Sequence, residues 1–291
     1  MSFGRILTAM VTPMNECLEV DYEEAKHLAL HLVEHGNDGI VVAGTTGESP
    51  TISTEEKIEL FKVVKETVGS RAVVIAGIGS NTTEASVTLA KKAAAVGVDG
   101  LMAVVPYYNK PSQEGLYQHF RKIAAATPLP LMLYNIPSRS SVNMLPETVL
   151  RLSEIPNITA LKEACGMMDQ VSELKRILPE NFAMYSGDDS QTLPMLALGC
   201  TGIISVAGHV IGDEMRSMLD AWFAGDTQTA LKWHLKLLPM FKGIFVTTNP
   251  VPIKYLLKYH GIKAGGVRLP LVDAIEKEKA FLDDLYRQIK G

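Results

Sequence analysis

Pro156-Asn157-Ile158-Thr159-Ala160-Leu161-Lys162-Glu163-Ala164-Cys165-Gly166 reads as a turn, a short apolar run and a polar exit. An apolar run of this length after Pro-Asn predicts a buried parallel strand. It closes on Lys162, where a lysine is expensive. Burying an ammonium costs several kcal/mol unless it is paired or loses its proton. Desolvation lowers a lysine's pKa, and the neutral amine is a nucleophile. A lysine at the end of an inner strand is therefore a candidate Schiff-base former. The bland alternative is an ammonium that reaches water just past the strand end.

The same unit recurs on both sides. Strands are predicted over 6–11, 39–43, 72–76, 100–105, 130–134, 158–162, 182–186 and 202–206. Amphipathic segments lie between them, among them 22–34, 54–68, 83–96, 113–125, 146–153, 168–178 and 190–198. Ser53 three residues before Glu56 forms a capping box, and Pro146 suits a first helical position. Gly36, Gly69, Gly97 and Gly199 follow helical periods and mark helix ends. Eight strand-then-helix units predict an α/β fold, a closed (β/α)8 TIM barrel. An open doubly wound sheet would show a glycine-rich fingerprint after its first strand. Here that strand runs into Thr12-Pro13-Met14-Asn15, and no phosphate-binding loop motif occurs elsewhere. After about Gly225 the rhythm becomes helical, over 226–246, 250–259 and 271–289. The expected organisation is a catalytic barrel over 1–225 and a C-terminal helical extension over 226–291.

Composition narrows the class. The 291 residues are 47% hydrophobic and 21% charged with net charge -4, as in an ordinary globular protein. No basic stripe points to nucleic acid. Met1-Ser2-Phe3-Gly4-Arg5-Ile6 lacks the regions of a secretory signal, and no apolar stretch has transmembrane length. Cys17, Cys165 and Cys200 are widely spaced without a CxxC pair, which predicts reduced thiols, no disulfide framework, no zinc site and a cytoplasmic location.

In such a barrel chemistry gathers at the C-terminal strand ends. There the sequence places Gly44-Thr45-Thr46-Gly47-Glu48, Pro106-Tyr107-Tyr108-Asn109-Lys110-Pro111, Tyr134-Asn135-Ile136-Pro137-Ser138-Arg139, Lys162, Ser186-Gly187-Asp188-Asp189 and Ile203-Ile204-Ser205. Lys162 supplies a nucleophile, and Tyr134 on the neighbouring strand moves protons. The Gly44–Gly47 turn offers N–H groups and hydroxyls to a small carboxylate. Arg139 offers a planar fork to a second one. Asp188-Asp189 stands where barrels often hold phosphate and would repel it, so the substrates are expected to carry carboxylates. Taken singly, a strand-end tyrosine is usually packing, such a turn only a turn, and an arginine a solvated surface residue.

With these motifs in order, and with Asn249-Pro250-Val251-Pro252-Ile253-Lys254 further on, the chain resembles the dihydrodipicolinate synthase family from end to end. That family heads a superfamily of pyruvate-dependent class I aldolases and lyases. The resemblance implies that Lys162 forms an imine with pyruvate and that Tyr134 is proton donor and acceptor. It implies a relay of Thr45 and Tyr108 with Tyr134, Tyr108 coming from a neighbouring subunit of a homotetramer, a dimer of dimers. Thr46, Gly187 and the Ile204 backbone would face pyruvate, and Arg139 would take the carboxylate of aspartate 4-semialdehyde. No metal or organic cofactor is implied, since the lysine imine is itself the electron sink. Two departures stand out. Ser140-Ser141-Val142 follows Arg139 where many members have Thr-Gly, and His209 stands where asparagine is frequent.

Some relatives are inhibited by lysine near Ser49, Asn81, Glu84 and Tyr107. Thr54 and Lys57 replace histidines of lysine-sensitive members, so weak or absent feedback is expected. His27, His31 and His35 read as a solvated helix face, and Cys165 as a buried inert thiol. Two other functions remain to be weighed: an N-acetylneuraminate lyase-like or 2-keto-3-deoxy sugar acid aldolase, and a non-catalytic barrel scaffold.

Overall fold

The computed structural model describes residues 3–290, so Met1 and Ser2 of the opening segment lie outside the described residues. Eight strands close into one barrel in sequence order. They are β1 (Ile6–Ala9), β2 (Gly39–Val42), β3 (Val73–Gly77), β4 (Gly100–Val104), β5 (Leu131–Asn135), β6 (Ile158–Glu163), β7 (Ala183–Ser186) and β8 (Gly202–Ser205). All pairs are parallel, and Leu7 opposite Ile204 closes the ring. All eight expected strands are present, with ends moved by a residue or two.

Strand residues alternate between two apolar clusters. Leu7, Val41, Ile75, Met102, Met132, Ala160, Tyr185 and Ile204 fill the barrel interior. Their neighbours Ile6, Ile40, Val74, Leu101, Leu131, Leu161 and Ile203 point outward under the helices. Burial on both faces is why these strands read as unbroken apolar runs.

The covering helices are α1 (Tyr22–Glu34), α2 (Thr54–Val68), α3 (Thr83–Val96), α4 (Gln113–Ala124), α5 (Pro137–Ser140), α6 (Pro146–Ser153), α7 (Met168–Ile177), α8 (Thr192–Ala197) and α9 (Gly208–Phe223). The capping box forms: Glu56 N–H donates to Ser53 Oγ at 3.1 Å, and Ser53 N–H to Glu56 Oε2 at 2.7 Å. After the Gly225-Asp226 turn come α10 (Thr227–Gly243), α11 (Val251–Leu256) and α12 (Glu276–Lys290).

Four expectations change. The helix expected over 190–198 splits into a 3-10 turn at Asp189–Gln191 and α8, and the one over 250–259 likewise splits into α11 and a 3-10 turn at Leu257–His260. The helix expected over 271–289 starts only at Glu276. Leu271 and Ala274 instead pack with Val251 and Val267 in a small separate cluster, and Ile275 N–H donates to Glu278 Oε2 where α12 begins. Finally, the histidine face of α1 is solvated only at His27. His31 and His35 are half-buried, with ring centroids 4.5 Å apart, and His260 lies 4.8 Å from His31.

Candidate active site

Lys162 sits in β6 in register with Tyr134 of β5 and Tyr185 of β7. Strand alternation turns it into the barrel, where it is 4% exposed. Its Nζ lies 4.3 Å from the centroid of the Tyr134 ring. Burial pulls the amine down to about 8; Asp189 opposes the shift and Arg139 adds to it. About one amine in ten is then uncharged at pH 7, far more than for a solvated lysine. The surroundings are shaped for this side chain. A Cβ at Gly187 would fall 3.1 Å from Lys162 Cε and 2.9 Å from Ala164 Cβ, so only glycine leaves room for the stem.

Tyr134 is buried, and burial pushes its phenol up, with Arg139 pulling the other way. It is therefore a neutral donor at rest, able to hand a proton to a neighbour and take it back. Beside it the turn after β2 brings Thr45 and Thr46. Ser49 N–H donates to Gly44 O and Glu48 N–H to Thr45 O, while Ala43 and Glu48 both take positive φ, 54° and 55°. Thr46 is buried, and Asn249 Nδ2 donates to its Oγ1 at 2.9 Å. Thr45, Thr46, Tyr134, Lys162 and Gly187 line one small cavity of about 50 Å³, together with Arg139. A wider mouth of about 190 Å³ shares Thr45, Tyr134 and Arg139 and adds Ser49 and Tyr107.

Arg139 lies on α5, which starts from Pro137 directly beyond β5. Below it is a polar network that the sequence reading missed. Glu163, 1% exposed, faces away from Lys162 into the β5–β6–α7 junction. Its carboxylate accepts from Asn135 Nδ2 at 3.0 and 3.1 Å, Cys165 N–H at 2.8 Å and Gln170 Nε2 at 3.2 Å. Asn135 also accepts from Met144 N–H at 3.0 Å, closing the loop that follows α5. Every partner of Glu163 is a donor, which favours its ionised form against the burial that raises its pKa. The signal was available: in a strand, the residue after an inward lysine points outward, and a carboxylate there needs donors.

Other expected residues sit differently. Ile204 is buried in β8 inside the barrel, opposite Leu7 of β1, and lines neither cavity. Tyr108 is 90% exposed, takes φ 74° and lines neither cavity, so one chain does not bring it to Lys162. Asp189 is not an open anion facing a phosphate site, as the sequence suggested. It is 2% exposed; Ser205 Oγ donates to its Oδ1, and Val206 and Ala207 N–H donate to Oδ2 at 3.1 and 3.2 Å. Burial lifts it to about 6 against these donors. Asp188 alone turns toward the opening, with Arg139 and Lys242. Cys165 is half-buried rather than buried, and burial pushes its thiol up to about 12, which leaves it unreactive. No group of three or more His, Cys, Asp or Glu side chains is placed to hold a metal among the described residues.

Residues 2–289 match the model of the dihydrodipicolinate synthetase family. A 4-hydroxy-tetrahydrodipicolinate synthase from Desulforamulus reducens is 59% identical over 279 residues, 96% of this chain and 94% of its own. The enzyme of that name from Moorella thermoacetica is also 59% identical, covering 96% of both chains. Among solved structures, dihydrodipicolinate synthase from Bacillus anthracis superposes with TM-score 0.98 at 48% identity over 100% of each chain. The Cyanidioschyzon merolae enzyme, solved with lysine bound, gives TM-score 0.97 at 47% identity, over 99% of this chain and 98% of its own.

Proposed function

The chain belongs to the dihydrodipicolinate synthetase family, and from that premise we propose how its residues work. The activity is that of a 4-hydroxy-tetrahydrodipicolinate synthase, a lyase of lysine and diaminopimelate biosynthesis that joins pyruvate to aspartate 4-semialdehyde. The observation that carries the residue assignment is a buried, partly neutral amine sharing one cavity with a phenol and a threonine turn.

In this reading Thr46 and the turn N–H groups hold the pyruvate carboxylate, with Gly187 and the Ile204 backbone against its other side. Lys162 Nζ adds to the carbonyl carbon. Tyr134 delivers the proton that lets the hydroxyl leave as water, giving an imine. The imine draws electrons from the methyl group, which loses a proton and becomes an enamine carbon. That carbon attacks the aldehyde of the semialdehyde, whose carboxylate Arg139 grips. The semialdehyde's amine then closes onto the former carbonyl carbon and expels Lys162 as a free amine. The lysine imine is the only electron sink the reaction calls for, so no metal or organic cofactor takes part.

Thr45 and Tyr108 complete the proton relay, with Tyr108 reaching a neighbouring subunit's site. Its exposure and left-handed backbone suit a side chain held out from its own barrel. The assembly we propose is a homotetramer of two dimers, located in the cytoplasm; no helix among the described residues is long and apolar enough to cross a membrane. Residues 1–225 act as the catalytic barrel and 226–291 as its helical extension. An assay of pyruvate consumption with aspartate 4-semialdehyde, run beside Lys162→Ala, tests the assignment. The variant is expected to be inactive while folding normally. Residual turnover near the wild-type level would remove Lys162 from the mechanism, and faster cleavage of N-acetylneuraminate would favour the sugar-acid aldolase.

A further inference from the structure

The turn proposed to hold the pyruvate carboxylate does not stand on the barrel alone. Three contacts tie it to the segment that follows Gly225. Asn249, 6% exposed, donates from Nδ2 to Thr46 Oγ1 at 2.9 Å. Lys254, on α11, donates from Nζ to Glu48 Oε1 at 2.9 Å, and these two side chains are 2% and 1% exposed. Arg268 N–H donates to Glu48 Oε2 at 3.0 Å. The Glu48 carboxylate is thus occupied on both oxygens by groups more than two hundred residues away in sequence.

A buried ion pair is weak evidence of added stability, because desolvation offsets most of its attraction. Its geometric effect is another matter. Glu48 sits at φ 55°, a left-handed conformation that disfavours a side chain, at the far end of the turn that begins at Ala43 with φ 54°. Between these strained ends lie Thr45 and Thr46. Lys254 is fixed in turn, since Nζ also donates to Gly266 O. Asn249 lies just before the N-cap Pro250 of α11 and Lys254 lies within the helix, so this short stretch grips the turn at two points. Asn249 also lines the cavity of Lys162, and its Oδ1 is buried without a partner.

We propose that Glu48, Lys254 and Asn249 are positioning residues for pyruvate: the C-terminal segment holds the Thr45-Thr46 turn in its carboxylate-binding shape. This rests on the reading that the turn binds pyruvate. It makes the C-terminal segment part of the substrate site instead of a covering layer.

The test separates the two ideas. The paired variant Glu48→Gln with Lys254→Met removes both charges at similar volume and keeps an acceptor for Arg268 N–H. It is expected to raise the pyruvate KM about tenfold, with the semialdehyde KM and kcat at saturating pyruvate changed less than about twofold. Asn249→Ala, which leaves the ion pair intact, is expected to shift the pyruvate KM in the same direction, and it decides the matter if the paired variant does not fold. A merely structural role would lower the melting temperature and the active fraction while leaving the pyruvate KM unmoved, and that result overturns the proposal. Thr46→Val is the control. If it raises the pyruvate KM and the others do not, the positioning role alone falls; if it too leaves the KM unchanged, the contact of the Thr46 hydroxyl with pyruvate falls along with the positioning role.

Discussion

At Lys162, the proposed nucleophile, burial and one neighbour pull in opposite directions. Burial lowers the amine to about 8, while the Asp189 carboxylate raises it. Only the neutral amine attacks, so pyruvate adduct formation is expected to rise with pH and level off above about 8. At pH 6 it is expected to run about a hundredfold below the plateau. Rapid-quench trapping across pH measures this; a flat profile would mean that the amine is not titrating in that range. Asp189→Asn removes the charge that stabilises the ammonium, so the midpoint is expected to move to lower pH, and an upward move would contradict the assignment. Lys162 was legible in the sequence because a lysine closing an apolar run is conspicuous. Asp189 was misread because its carboxylate folds back to Ser205, Val206 and Ala207, partners that no local pattern reveals.

Helix α5 carries Arg139 and ends in a residue ill suited to its backbone. Ser141 is exposed at φ 59° and ψ 16°, left-handed values that suit glycine. Such a conformation costs a non-glycine residue about 1–2 kcal/mol, part of which glycine gives back through its looser unfolded chain. Ser141→Gly is expected to stabilise the protein by about 0.5–1 kcal/mol without altering the pyruvate KM. Chemical denaturation checks this, and a loss of stability would show that the Ser141 side chain makes a contact of its own. Most helices were legible because they carry their own signals, such as the Ser53–Glu56 capping box. The start of α12 was not. Leu271 and Ala274 continue an apolar pattern, but they pack against Val251 and Val267 as irregular chain, a tertiary choice that periodicity does not record.

Closure of the barrel brings a pH dependence with it. Buried His209 bridges the β1–β8 seam: Nδ1 lies 2.8 Å from Val206 O, to which it donates, and Nε2 accepts from Val11 N–H at 3.1 Å. Both nitrogens are used by the neutral ring, and a proton on Nε2 would break the second bond. Burial holds His119, His209 and His260 each down to about 4. Unfolded histidines take up protons near pH 6.5, so between there and about 4 the unfolded chain binds more. Their contribution to stability is therefore complete above about 6.5 and is lost as pH falls toward 4. Melting temperatures across that window are expected to drop, and His209→Asn to flatten the fall; an unchanged slope would exclude His209. The barrel itself was legible, since eight doubly buried strands repeat one pattern. The place of Tyr108 was not: it is 90% exposed and lines neither cavity of its own chain. Tyr108→Phe is expected to lower kcat about a hundredfold if the relay crosses subunits; activity near wild type would break that relay. The account turns most directly on borohydride reduction of the protein with pyruvate, followed by peptide mass spectrometry. It predicts a reduced pyruvate adduct on Lys162 and none in Lys162→Ala; an unmodified Lys162 in protein that still turns over both substrates would contradict it.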